Sequence, residues 1–371
     1  MNNFEKARAG FEPEDYKKEG NREDVIAEWE DGLRSDPSKH SFEWWYFDSH
    51  LQDGSSLVIV FYTKPMFNAA GPIQPQVSFD FTSPEGKSTS SYYLAPAEAF
   101  SASKTTCDIQ VGPCYFKGNI REYSIHFEKD NIVADVTLTG TVEPYRFGNG
   151  IMYFGDHDET RLGWQPAVPD GIVKAEISID GVKKSYTGTG YHDHNWGNAD
   201  MAAFLHHWYW GRAKVGKYNV ITADIIANQR YGFTHISPFL LAEDGKIIVG
   251  RKETKDYLTI TPTDVHIDEY TEKPVANTLI FEYNDGKTHC RITYRRKNDI
   301  LKAKMVDALQ GEMKEQAIQM GFNGSYQRFI GEVTVDKFSE GKIIDSVTER
   351  AAVWELMYFG NPEDLPKNQN A

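Results

Sequence analysis

Six dipeptides, Asp53-Gly54, Glu85-Gly86, Asp180-Gly181, Asp244-Gly245, Asp285-Gly286 and Glu340-Gly341, separate runs rich in Val, Ile, Tyr, Phe and Thr. An Asp-Gly step between such runs is the strongest short-range hairpin signal, because Gly accepts a positive φ without steric cost. A chain punctuated this way folds into antiparallel strands joined by tight turns. It closes them as a sandwich or barrel rather than a doubly wound parallel sheet, and it carries neither a Rossmann nor a P-loop glycine pattern. Two stretches carry a helical period instead. Val25, Ile26, Trp29 and Leu33 predict a short helix over Arg22 to Leu33, and Met305, Leu309, Met313, Ala317 and Met320 predict a longer one over Lys302 to Met320, packed on a sheet.

The chain divides into a charged N-terminal segment (1–39), read as a clasp, and two domains, 40–200 and 201–371, with the boundary near Gly197 to Ala203. A weak internal duplication supports the pair: Trp45-Tyr46-Phe47 leads through a turn into Leu57-Val58-Ile59, as Trp208-Tyr209-Trp210 leads into Val220-Ile221-Thr222. With 54 acidic and 40 basic residues the formal charge is −14, which repels a phosphate backbone and argues against a nucleic-acid partner. Cys107, Cys114 and Cys290 cannot all pair and lack CxxC spacing, so they read as core thiols rather than disulfides or a thiolate metal site. No run of about 18 apolar residues offers a membrane span, so the expectation is a cytoplasmic, soluble protein with at most peripheral membrane contact.

Five of the 8 tryptophans and four of the 11 histidines fall in three short segments, Ser41 to Asp48 (SFEWWYFD), Gly190 to Gly197 (GYHDHNWG) and His206 to Arg212 (HHWYWGR). Alternate side chains of a strand share a face. Glu43, Trp45 and Phe47 therefore go together, as do His192, His194 and Trp196, and His206, Trp208, Trp210 and Arg212. Each set joins an ionisable group to flat aromatic surface, a lining suited to a long unsaturated apolar molecule. In order and spacing these three elements resemble the carotenoid 1,2-hydratase superfamily, which includes AttH-like proteins, fungal hydratases of prenylated phenolics and lipocalin-like Diels–Alderases. The resemblance, spanning Ser41 to Phe359, implies two lipocalin-like antiparallel β-barrel domains with a few short helices, a substrate cavity at or near their junction and no organic cofactor.

The chemistry first expected is acid-catalysed hydration of a carbon–carbon double bond in an apolar isoprenoid or polyene-type substrate. Its acid must stay protonated near neutrality, as burial allows a carboxyl to do. Asp224, in the apolar run Asn219 to Ala227, is the first candidate, and the resemblance maps the family's His-x-Trp and acid onto His194, Trp196 and Asp224, with Thr222 where the family has a tyrosine. Its bland alternative is a structural pair with Arg212 or Arg230. His194 is a candidate base or relay, and Glu43 a second acid or a donor to a bound carbonyl, against a plain loop tie. Trp45, Trp196, Trp208, Tyr209, Trp210 and Thr222 are the candidate substrate-binding residues, the aromatic faces being able to stabilise a cation by about 2 kcal/mol. His192 and His194 at i, i+2 invite a metal, but no third ligand follows at a convincing spacing, so no metal and no cofactor are expected. His192, Asp193 and Asn195 then read as a hydrogen-bonded corner. A pericyclase of the Diels–Alderase type and a non-catalytic lipid or pigment carrier are the competing readings.

Overall fold

The computed structural model describes residues 4–65, 68–309, 311–319 and 321–365. The protein is mostly β, and its strands form two antiparallel sheets. The chain gathers into two compact units, residues 9–153 with 158–200, and residues 1–8, 154–157 and 201–371.

Each of the six predicted turns joins two consecutive strands. At Asp180-Gly181, Asp244-Gly245 and Glu340-Gly341 both residues have positive φ, between 49° and 80°. That is the type I′ geometry whose twist matches the flanking strands. In the first unit the sheet runs in the order Ser88–Leu94, Gln76–Thr82, Ser56–Tyr62, Phe42–Leu51, Val182–Gly197, Thr160–Ile179, Ile132–Gly140, Glu122–Lys129 and on through the strands between Phe100 and Gly118. The sheet curls, because strands far apart along it meet across the interior: Phe79 stacks on Phe127 at 5.0 Å, and Phe61 meets Phe116 edge-on at 5.7 Å. Alternation sets the lining, with Tyr123, Ile125 and Phe127 buried while Glu122, Ser124 and Glu128 are exposed.

The second unit repeats the plan. Leu205–Val215 pairs with the next strand, Tyr218–Ala227, on one side and with the last strand of the unit, Lys342–Tyr358, on the other, as Phe42–Leu51 pairs with Ser56–Tyr62 and with Val182–Gly197. The core holds Tyr209, Ala213, Val220, Phe281, Tyr294 and Trp354. This is the lipocalin-like plan, a meander whose closing strand returns to the first.

Both helix expectations need correction. Over Arg22 to Leu33 the chain is irregular, with a single 3₁₀ turn at Glu28–Asp31. Buried partners outweigh the helical period: Glu30 pairs with Arg146, Asp31 with His192, and the Leu33 N–H donates to the Ser103 carbonyl. From Lys302 to Lys304 the strand His289–Lys304 continues against Ser325 to Gln327, a 3₁₀ turn follows at Met305–Ala308, and α-helix appears only at Gly311–Gln319. Ladder hydrogen bonds decide the first half. Met320 and the side chain of Met313 lie outside the described residues.

Candidate active site

Two clusters of ionisable side chains lie inside the units. In the first unit, Phe42–Leu51 and Val182–Gly197 are hydrogen-bonded neighbours with Trp45 opposite His194, Glu43 opposite Trp196 and Phe47 opposite His192. The two alternating sets therefore share the inner face. His194 lies between Trp45, stacked on it, and Trp196, tilted to it by 39°, each ring 4.7 Å away. Gly163 lies opposite Trp196, where a Cβ would stand 2.1 Å from the indole, so the absent side chain is what lets the ring lie flat. Trp45, Glu43, His192 and His194 are fully enclosed.

Into this set the N-terminal segment inserts Asp31. His192 Nε2 lies 3.1 Å from Asp31 Oδ2, and its Nδ1 is 2.8 Å from the Tyr46 carbonyl. With acceptors on both ring nitrogens the imidazole is held as a cation. Burial alone lowers the His192 pKa, but the charge and hydrogen bond of Asp31 raise it above the usual value. Burial likewise pushes Asp31 up, and the charges and hydrogen bonds around it, led by His192, bring it below the usual carboxylate range. Tyr123 donates to the same carboxylate at 2.6 Å, and the Trp45 indole donates to the Asp31 carbonyl. Glu43 faces His194 Nε2 at 2.8 Å and also accepts the backbone N–H groups of Arg34 and Ser35, both at 2.7 Å. Those contacts are a loop tie. On the opposite face, Asp193 accepts from Trp164, Tyr191 and Asn195, and burial raises its pKa.

The second cluster lies on the inner face of the second unit. His207, Ile226 and His235 stand side by side on three adjacent strands, and Tyr209 stands opposite Asp224. Asp224 Oδ1 accepts from His235 Nδ1 and from Ser237 Oγ, each at 2.9 Å. Asp224 is buried, whereas the His235 side chain is 43% exposed. Burial pulls the His235 pKa down, but the hydrogen bond and charge of Asp224 carry it above the ordinary imidazole value. With Nδ1 given to Asp224, the second proton of the imidazolium sits on Nε2. His207 behaves oppositely: burial, then the charges of His206 and His235, push it well below the usual value. His206 Nε2 donates to the Asn361 carbonyl, so its Nδ1 is the acceptor in the 2.6 Å contact with His207 Nδ1. That assignment leaves Nε2 as the basic nitrogen of His207. Tyr358 stacks on His207 at 4.7 Å, and burial raises Tyr209 to about 12.

The predicted residues thus separate. His194, Glu43, Trp45 and Trp196 belong to the first cluster, Asp224 and Tyr209 to the second. Thr222 shares the inner face with Asp224 and donates to Tyr294 OH at 2.9 Å. Trp208 and Trp210 flank Tyr209 on the opposite face, where Trp208 Nε1 donates to Glu355. A register shift between Leu205 and His207 puts the two imidazoles next to each other, and in the regular pairing that follows Tyr209, not Trp208, faces inward. Arg230 pairs with Glu5, and Asp224 is held by His235 and Ser237. Sequence reasoning misses Asp31, Cys107 (read there only as a core thiol), Tyr123 and His235. The first three sit in segments without local motif, and His235 lies eleven residues beyond its carboxylate in a run that reads as a turn.

Comparison with known proteins adds the lineage. The quinolone epoxide rearrangement protein asqO of Emericella nidulans is 28% identical over 227 residues, which make up 56% of this chain and 60% of that protein. The match thus spans less than two thirds of that relative's length. Among solved structures, CghA with Sch210972 superposes with a TM-score of 0.60 at 13% identity, covering 86% of this chain and 89% of that one. Kievitone hydratase from Nectria haematococca superposes with a TM-score of 0.51, also at 13% identity and over 86% and 89% of the two chains. These likenesses show the lipocalin-like fold. Residues 33–266, which include both motif strands of the first unit and the Asp224–His235 pair, match the Diels-Alderase-like family model, and the chain belongs to that family.

Proposed function

We propose that the protein is an enzyme that rearranges or cyclises a small apolar unsaturated molecule by hydrogen-bond or proton donation to an oxygen of the substrate, with His235 as the donor. The observation that carries this reading is the half-exposed His235 imidazole held by the buried Asp224. Asp224 accepts two hydrogen bonds, so it acts as an ionised positioning residue rather than as the protonated acid expected from the sequence. Its charge keeps His235 in the acid form and its hydrogen bond fixes the ring, leaving Nε2–H for the substrate.

The strength of that acid selects the chemistry. An imidazolium is far too weak to protonate an isolated alkene, which hydration demands. It is strong enough to polarise an epoxide or carbonyl oxygen, which opens a strained ring or activates a dienophile while the pocket supplies proximity. The family's Diels–Alderase description and asqO's epoxide rearrangement support such intramolecular reorganisation. Neither step requires an organic cofactor.

The test uses aryl-substituted epoxides and carbonyl-bearing polyenes as probes, with products followed by liquid chromatography and mass spectrometry. His235→Gln and Asp224→Asn are expected to lower turnover by about 10²- to 10⁴-fold, the range of general acid catalysis, with melting temperatures measured alongside. The wild-type rate should fall as pH rises through the pKa of His235. A folded His235→Gln protein turning over at the wild-type rate would remove His235 from the mechanism.

A further inference from the structure

From the interior of the first unit we infer a second site, for a divalent transition-metal ion of the zinc class, with Asp31, Cys107 and His192 as ligands. It does not rest on the proposed reaction. One ligand atom from each of the three residues lies within 4.8 Å of the other two, and all three are buried. A tetrahedron with metal–ligand arms of about 2.0–2.3 Å has edges of about 3.3–3.8 Å, and the Asp31 Oδ2–His192 Nε2 edge, a 3.1 Å hydrogen bond, has to open by a few tenths of an ångström to admit an ion.

Two independent features point to an ion. Asp31 Oδ1 and His194 Nδ1 are buried, lie beyond ordinary hydrogen-bond length of a partner and face each other at 3.5 Å, so both are aimed at the cluster. His194 Nδ1 is the candidate for the fourth coordination position. Both histidines are also held as metal-bound histidines are, the outer nitrogen donating to a carbonyl or carboxylate. His192 Nδ1 is bound to the Tyr46 carbonyl and His194 Nε2 to Glu43, each at 2.8 Å. Sequence spacing offers His192 and His194 no third ligand. The fold supplies Asp31 from the N-terminal segment and Cys107 from the strand Cys107–Val111.

The site stays neutral with and without the ion. Imidazolium His192, carboxylate Asp31 and thiol Cys107 sum to zero. A divalent cation displaces one proton from His192 Nε2 and one from Cys107 Sγ, leaving the ion balanced by carboxylate and thiolate while His194 adds a neutral nitrogen. Taking up the ion therefore leaves the net charge of the ligand set unchanged, and the buried Glu43 carboxylate stays bound to His194 and to the Arg34 and Ser35 N–H groups. The donor set of imidazole, thiolate and one carboxylate suits zinc better than magnesium or calcium, which take oxygen. Its enclosure makes it a structural site.

The experiment is metal analysis of the whole chain expressed with zinc, followed by stripping with chelator and titration with Co²⁺ alone. We expect one equivalent of zinc, a thiolate-to-cobalt charge-transfer band lost in Cys107→Ser, and a metal-dependent rise in melting temperature. Glu43→Gln, which loosens the hold on His194, should weaken Co²⁺ binding about 10- to 100-fold. Absence of uptake by the wild type overturns the site, as does a Cys107→Ser protein with unchanged stoichiometry and absorption. Should that variant not fold, zinc-edge X-ray absorption of the wild type decides: one sulfur at about 2.3 Å supports the site and none overturns it.

Discussion

At the scale of single residues, the chain drives two histidines of one sheet face toward opposite charge states. His235 and His207 flank Ile226 on neighbouring strands. His235 is raised because the carboxylate of Asp224 outweighs its loss of water, whereas His207, enclosed and facing two other imidazoles, is lowered. A pH dependence of stability follows with a definite sign. The folded pKa of His235 lies above its unfolded value, so its contribution is fully present below about 6.5 and lost as pH rises through the folded value. The difference in melting temperature between wild type and Asp224→Asn should therefore shrink from about pH 6.5 upward, and calorimetry across that range checks it. Equal differences at every pH would show that Asp224 does not hold a charged His235. Asp224 itself was identifiable from sequence as an acid in an apolar strand. Its partner was not, since a His eleven residues away becomes a neighbour only when the chain turns back between Tyr218–Ala227 and His235–Ile236.

At the scale of elements, the turns were legible and the helices were not. A type I′ turn is specified by two adjacent residues whose φ must be positive, so local chemistry suffices to place it. Gly181 has a φ of 78° and open space around its Cα, so a change to Ala costs through backbone strain alone. Gly181→Ala should destabilise the first unit by about 1–2 kcal/mol, the cost of a left-handed L-residue, and lower its melting temperature by a few degrees. A wild-type melting temperature would show that the hairpin Thr160–Ile179 to Val182–Gly197 does not depend on this turn. The helix at Arg22 to Leu33 fails for the converse reason. Its period is carried by four apolar residues, yet Glu30 and Asp31 each have a buried partner more than 100 residues away. Tertiary partners of that kind outweigh a propensity of a few tenths of a kcal/mol per residue. The turn lengths are a third case. Residues 52–55 separate Phe42–Leu51 from Ser56–Tyr62, but only 216–217 separate Leu205–Val215 from Tyr218–Ala227, and the change in register puts Trp208 outside where its aligned counterpart Trp45 lies inside.

At the scale of the whole molecule, two sheets of one topology account for the weak duplication, and in each an aromatic-rich first strand receives the closing strand of its unit. Far-UV circular dichroism is expected to be β-dominated with a small helical signal, because the described α-helices are only Pro13–Glu19 and Gly311–Gln319. A helix-dominated spectrum would contradict the fold. No helix among the described residues is long and apolar enough to cross a membrane. What the sequence by itself determined was the architecture: hairpin turns and alternating apolar positions are local signals, and they leave an antiparallel curled sheet as the way to bury Val, Ile, Phe and Tyr. The shared faces of Glu43 with Trp45 and of His192 with His194 were legible for the same reason, since a strand's period is two. Only the tertiary structure decided which ionisable groups meet. Asp31 reaches His192 across 161 positions and Cys107 joins them from a third segment, an encounter that no local pattern encodes because sheet closure, not sequence neighbourhood, brings it about.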